Sequence, residues 1–84
     1  MKIEKNEPRR FAFYYDKKKT IISYEIWILD GKIMHREDGP AFVQYYQNGS
    51  IKFQRYYLND CKYSREEYIK SISQRNKVRM LLNE

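Results

Sequence analysis

The sequence predicts an α+β fold, an antiparallel β-meander of two hairpin repeats capped by a C-terminal helix. Three observations carry that reading. The chain repeats itself: Leu29-Asp30-Gly31-Lys32 to Glu37 returns 29 residues later as Leu58-Asn59-Asp60-Cys61 to Glu66, and Ile22, Tyr24 and Trp27 fall on Ile51, Phe53 and Tyr56. A period of this size marks supersecondary units that stack on one another. Apolar residues alternate through most of the repeated region, which is the period of a strand. Ser64-Arg65-Glu66-Glu67 then reads as a capping box that opens a helix.

Taken in order, residues 1–8 are polar and end at Pro8, which suggests a loose arm. The hairpin repeats occupy 9–63. Phe11, Phe13 and Tyr15 alternate with Ala12 and Tyr14 as a first strand, and Asp16 to Thr20 form the turn. Ile22, Tyr24, Ile26 and Ile28 make an unbroken apolar face on the second strand, while Ser23, Glu25, Trp27 and Leu29 make a mixed one. Asp30-Gly31 is a turn signal, because glycine takes positive φ at little cost. In the second copy Phe42 to Tyr46 is a strand, Asn48-Gly49 centres the turn, and Ile51, Phe53, Arg55 and Tyr57 alternate along the return strand. The Tyr14-Tyr15 pair matches Tyr45-Tyr46 at an offset of 31, so the first hairpin loop is two residues longer. Its extra length is the Lys17-Lys18-Lys19 tip.

Residues 64–84 form the helical cap. Ser64 is the N-cap and Glu67 sits at N3, with Tyr63 and Tyr68 placed as a hydrophobic staple. Tyr68, Ile69 and Ile72 are expected to close the end of the sheet. Val78, Leu81 and Leu82 lie on a stripe that points elsewhere, which leaves two readings. Either the helix breaks near Ser73-Gln74 and folds back, or its tail carries a second apolar face for self-association.

Composition bounds the function. With 84 residues the chain makes one domain, spanning 1–84, in which each large apolar residue matters. Lone Cys61 can form no internal disulfide, and no cysteine pair supports a zinc site, so a reduced, cytoplasmic setting is expected. No apolar run reaches the roughly 18 residues of a membrane span, and no signal-peptide core precedes the domain. Seventeen Lys and Arg against eleven Asp and Glu give a net charge of +6, and nine tyrosines accompany them. Basic charge with aromatics suits nucleic acid. Tyrosines also fill strand faces in small sheets.

The most distinctive segment is His35-Arg36-Glu37-Asp38-Gly39-Pro40-Ala41. It reads as a structured connection: Asp38 bonds nearby amides, Gly39 supplies unusual backbone angles, and Pro40 fixes entry to the next strand. His35 beside Glu37 and Asp38 has too few neighbouring ligands for a metal. Ser64 is explained as a cap, Cys61 has no partner histidine in the pattern, and no glycine-rich phosphate loop is present. No cofactor is expected, and the chain is read as not an enzyme.

This segment resembles the HREDGPA repeats, described as MORN-like, of large DNA viruses, phages and some bacteria. Trp27 to Lys32, His35 to Ala41 and Asn48-Gly49 fit that pattern, and Tyr57-Leu58-Asn59 with Tyr63 to Tyr68 fits its terminal cap. The chain departs from it where Asp60-Cys61 replaces Gly-Lys, which is expected to weaken the last turn. The first copy also lacks the seven-residue motif, and the tail after Lys70 has no counterpart. The resemblance implies hairpin repeats and no particular reaction.

The expected function is a non-enzymatic protein-interaction module, in concrete form a viral or phage accessory protein that inhibits a host enzyme or defence complex. Its anchors would be Trp27, Arg36, Arg55 and Tyr56, with Lys17, Lys18 and Lys19, because aromatic residues and arginine dominate interface energy. The alternative is a basic nucleic-acid-binding domain using Arg9, Arg10, Lys17, Lys18, Lys19, Arg75, Lys77 and Arg79. Homo-oligomerisation through the C-terminal tail is the remaining partner reading.

Overall fold

The structure, a computed structural model, describes residues 7–82, with side chains placed over 7–75. The expected architecture is present. Seven elements follow in order: β1 Arg9–Tyr14, β2 Ile22–Leu29, β3 Ile33–Met34, β4 Phe42–Tyr45, β5 Ile51–Leu58, β6 Cys61–Tyr63 and α1 Arg65–Leu82. The strands form one antiparallel sheet in the order β1-β2-β4-β5-β6, with β3 paired to the end of β2. Residues 1–6, which make up most of the expected arm, lie outside the described residues.

The repeat is visible in the backbone. The β2–β3 turn places Asp30 and Gly31 at φ 54° and 74°, and the β5–β6 turn places Asn59 and Asp60 at 50° and 70°. Positive φ at both central residues is the type I′ pattern that matches strand twist. Substituting Asp60 for glycine therefore leaves the turn intact, contrary to the weakening expected. Local bonds hold it: the Asp60 N–H donates to Met34 O at 2.9 Å, and the Met34 N–H donates to Asp60 Oδ1 at 3.1 Å. The second turn is thus tied to β3 of the first copy.

The two hairpin tips are built by side chains. Asn48 Oδ1 accepts from the Ser50 N–H at 2.9 Å and from its hydroxyl at 2.6 Å. The Asp16 carboxylate accepts from the Thr20 and Ile21 amides, and from the Thr20 hydroxyl. These bonds hold the Asp16 carboxyl below its ordinary value, the Thr20 hydroxyl contributing most. Lys17, Lys18 and Lys19 stand exposed on the loop so formed.

The helix starts where the capping box puts it. Ser64 N–H donates to Glu67 Oε1 at 3.1 Å, and Glu67 N–H donates to Ser64 Oγ at 3.2 Å. Beyond that the helix differs from expectation. It runs unbroken from Arg65 to Leu82, so there is no break near Ser73-Gln74. Tyr68 is buried and Ile72 half-buried, but Ile69 is 48% exposed. The reason is geometric: at about 100° per residue, Ile72 returns to the side of Tyr68 and Ile69 does not. The side chains of Val78, Leu81 and Leu82 lie outside the described ones.

The molecule is thin. Its extents are 48 × 35 × 20 Å and its radius of gyration is 15.3 Å, against about 12 Å for a compact domain of this length. The buried apolar residues are Ala41, Val43, Leu58 and Tyr68. They gather on one side of the sheet.

Candidate interaction surface

Residues directly opposite in an antiparallel pair share a face, and faces alternate along each strand. The register therefore sorts the side chains. Arg10, Trp27, Tyr56 and Tyr63 lie on one face, together with Ala12, Glu25, Val43 and Gln54. Arg9, Phe11, Phe13, Tyr24, Ile26, Ile28, Phe42, Phe53, Arg55, Tyr57 and Lys62 lie on the other.

The first of these, the Trp27 face, is the closed one. The segment His35 to Ala41 closes it. His35 N–H donates to Trp27 O at 3.2 Å, and Trp27 N–H donates to Ala41 O at 2.9 Å. Bonding to β2 thus stops at His35 and resumes at Ala41, while the Arg36 N–H turns to β5 and donates to Tyr57 O at 3.2 Å. Arg36 lies over the Trp27 ring with its guanidinium carbon 3.8 Å from the centroid, while donating to Asp38 at 2.8 Å and to Pro40 O at 3.1 Å. A Cβ on Gly39 would meet that guanidinium carbon at 3.0 Å, so any larger residue here would have to push Arg36 off its position. Tyr68 reaches in from α1. Its hydroxyl donates to Arg36 O at 2.5 Å and accepts from the Gly39 N–H at 3.2 Å, and its ring packs 4.7 Å from that of Tyr56.

Two buried polar side chains sit on or beside this face. His35 Nδ1 accepts from the Asn59 N–H at 3.0 Å, and Nε2 lies 3.5 Å from the Glu37 carboxylate, which Arg75 of α1 approaches at 3.7 Å. His35 is therefore a tie between the two copies. Glu25 accepts from Arg10 Nε and from the Tyr45 hydroxyl. Burial first, and the Glu25 bond second, raise the Tyr45 hydroxyl above its ordinary pKa. Sequence reading missed this cluster, whose members lie 15 and 20 residues apart. No three His, Cys, Asp or Glu side chains among the described residues come together as a metal would need.

The opposite face is open. Phe13, Tyr24, Phe42 and Phe53 form an aromatic ladder across four strands, with centroids 4.5, 5.7 and 5.6 Å apart and planes within 16–29°. These separations are close to the strand spacing, so the rings turn their π faces to one another. Arg55 caps the Phe53 end at 4.9 Å. Phe11 and Phe13 are exposed at the other end. Near Arg9 a shallow cavity of about 340 Å³ is lined by Phe11, Ile28, Gly31, Glu7 and Asp30. No described element lies over this face. The helix packs against β5 and β6 through Tyr68, on the closed side.

The residues expected to act together are therefore divided. Trp27 and Tyr56 are on the closed face with Arg36, each engaged internally. Arg55 is on the open face, and Lys17 to Lys19 are at a hairpin tip. The basic clusters are also separated. Arg9 and Arg10 begin β1 while the lysines follow its far end, Arg10 is held by Glu25, and Arg75 lies beside Glu37 at the other side of the sheet. The side chains of Lys77 and Arg79 lie outside those described. No helix among the described residues is long and apolar enough to cross a membrane. No protein-family model matches the chain, and no curated protein or solved structure matches it.

Proposed function

We propose that the chain is a non-enzymatic protein-interaction module that docks its partner on the Phe13–Phe53 face. The carrying observation is that this face has no second layer among the described residues. Domains are normally built from packed layers around a core, and a contiguous exposed apolar patch marks an interaction site. The charged strand residues on the face are Arg9, Arg55 and Lys62, all cationic. A partner with an apolar surface bordered by carboxylates complements them. Under the resemblance to HREDGPA-type proteins, a small viral or phage inhibitor of a host complex is the concrete form.

Two observations favour protein over nucleic acid. Stacking of bases needs ring faces turned outward, whereas the ladder rings face each other. The described cations also form no continuous track for a phosphate backbone. The test is capture from nuclease-treated host lysate with wild type, Phe53→Glu and a triple Lys17/Lys18/Lys19→Ser variant. A stoichiometric protein lost only with Phe53→Glu is the expected result. A nucleic-acid mobility shift at about 50 mM salt that disappears with the triple variant would replace this reading with the alternative.

A further inference from the structure

Among the described residues the sheet has an open edge as well as an open face. Trp27 directs its N–H to Ala41 and its carbonyl to His35, both on the side away from β1. Backbone direction alternates along a strand, so Ile26 and Ile28 direct theirs toward β1, opposite Phe11 and Arg9. Arg10 and Ala12 consequently turn their N–H and C=O groups outward. At the other end the Tyr15 N–H donates inward to Ile21 O at 2.8 Å, which leaves Tyr14 facing outward too. The register shift near Phe13 and Tyr14 leaves Ser23 of β2 unmatched, so β1 itself stays regular. Its centre, Phe11-Ala12-Phe13, has no proline, charge or bulge of the kind that normally blunts an edge.

About Ala12 the sequence of this edge complements its own reverse, phenylalanine matching phenylalanine and arginine meeting tyrosine. Arg9-Arg10-Phe11 precede Ala12 and Phe13-Tyr14-Tyr15 follow. We propose that two copies of the chain pair antiparallel through β1, with Ala12 on the two-fold axis. In that register Phe11 lies opposite the partner's Phe13, Arg10 opposite the partner's Tyr14, and Arg9 opposite the partner's Tyr15. No like charges meet, and each arginine faces an aromatic ring. Centring the pair on Arg10 would instead set that arginine against its own copy. The three outward residues of each copy supply about six backbone hydrogen bonds. Phe11 and the partner's Phe13 form a non-hydrogen-bonded pair, the class with the closest side-chain approach. The outer face of Phe13, open in the single chain, then receives the partner's Phe11. Each ladder gains the partner's Phe11 as a fifth ring, and the open face doubles in width.

The test is the mass of the full chain by sedimentation equilibrium across concentration, with three variants. Ala12→Pro removes an outward N–H and leaves the internal ladder unbroken, because edge strands tolerate proline at such positions. It should weaken dimerisation by about tenfold or more with an unchanged circular dichroism spectrum. Ala12→Cys in a Cys61→Ser background should form a disulfide dimer, since Cα atoms in such a pair are about 5.5 Å apart. Lys18→Cys in the same background should not. The cross-link decides the matter if Ala12→Pro fails to fold. A single-chain mass up to about 1 mM overturns the proposal. So does a dimer that Ala12→Pro leaves intact and Ala12→Cys fails to cross-link, or one abolished only by deleting residues 74–84. A lysate protein cross-linked to Ala12→Cys in place of a second copy would assign the edge to another chain and overturn it equally.

Discussion

The two faces of the sheet carry similar numbers of large apolar residues, yet one is closed and the other open. On β2 the purer apolar row, Tyr24, Ile26 and Ile28, is half-buried with no described element over it, and the mixed row with Trp27 holds the strand's buried residue, Glu25. Hydrophobicity alone therefore does not select the core side here. Covering material does. The His35–Ala41 excursion and the Tyr68 end of α1 both fall on the Trp27 side. An apolar row that no described segment covers stays open.

The largest test of that contrast is Tyr68. Tyr68→Ala removes the ring packed on Tyr56 and should destabilise the fold by about 3 kcal/mol, measured by urea unfolding. Tyr68→Phe keeps the ring but leaves Arg36 O and the Gly39 N–H without their partner. It should cost about 1–2 kcal/mol. If both changes were near neutral, the closed face would not be held by the helix.

His35 comes next. His35→Ala takes the acceptor from the part-buried Asn59 N–H bond and should cost about 1 kcal/mol. His35→Asn offers an oxygen near the Nδ1 position and should recover part of that loss. An equal cost for both would remove the hydrogen bond as the reason. On the open face the expectation reverses. Arg55→Ala should change stability by no more than about 0.5–1 kcal/mol while weakening partner capture. A large loss of stability there would mean that the open face is part of the core.

What was legible in the sequence was local. Strand alternation, the Asn48-Gly49 turn and the Ser64–Glu67 box each act over a few residues, and each appears where the pattern puts it. The Asn59-Asp60 turn reads as weak in the sequence, because its tie to Met34 lies 26 residues away. The choice of closed face was hidden for the same kind of reason. It depends on Arg36 reaching Trp27 and on a tyrosine hydroxyl meeting a loop 32 residues earlier. The Glu25 cluster joins three strands and leaves no periodic signal. Tyr68, Ile69 and Ile72 read as one face, and the helical angle of about 100° between Tyr68 and Ile69 separates these two.

The smallest expected effects are in the pH dependence, and they separate the tips from the closed face. Asp16 and Glu67 have carboxyls held below their ordinary values, Asp16 chiefly by the Thr20 hydroxyl and Glu67 chiefly by the Ser64 amide. Such groups contribute stability above the unfolded value, near 4, and lose it as pH falls through the lowered one. Glu67 is exposed and Asp16 only partly covered at a hairpin tip, so Asp16→Asn and Glu67→Gln should each flatten the acid limb only slightly. Tyr68 and Tyr45 behave oppositely. Burial raises both hydroxyls, so the unfolded chain ionises first. Their contribution is complete below about pH 10 and declines as pH rises beyond it. Tyr68→Phe should therefore lower stability at neutral pH yet lessen its alkaline decline, read as the urea midpoint between pH 8 and about pH 11. An alkaline limb unchanged by Tyr68→Phe and Tyr45→Phe together would show that the closed face does not shield these hydroxyls.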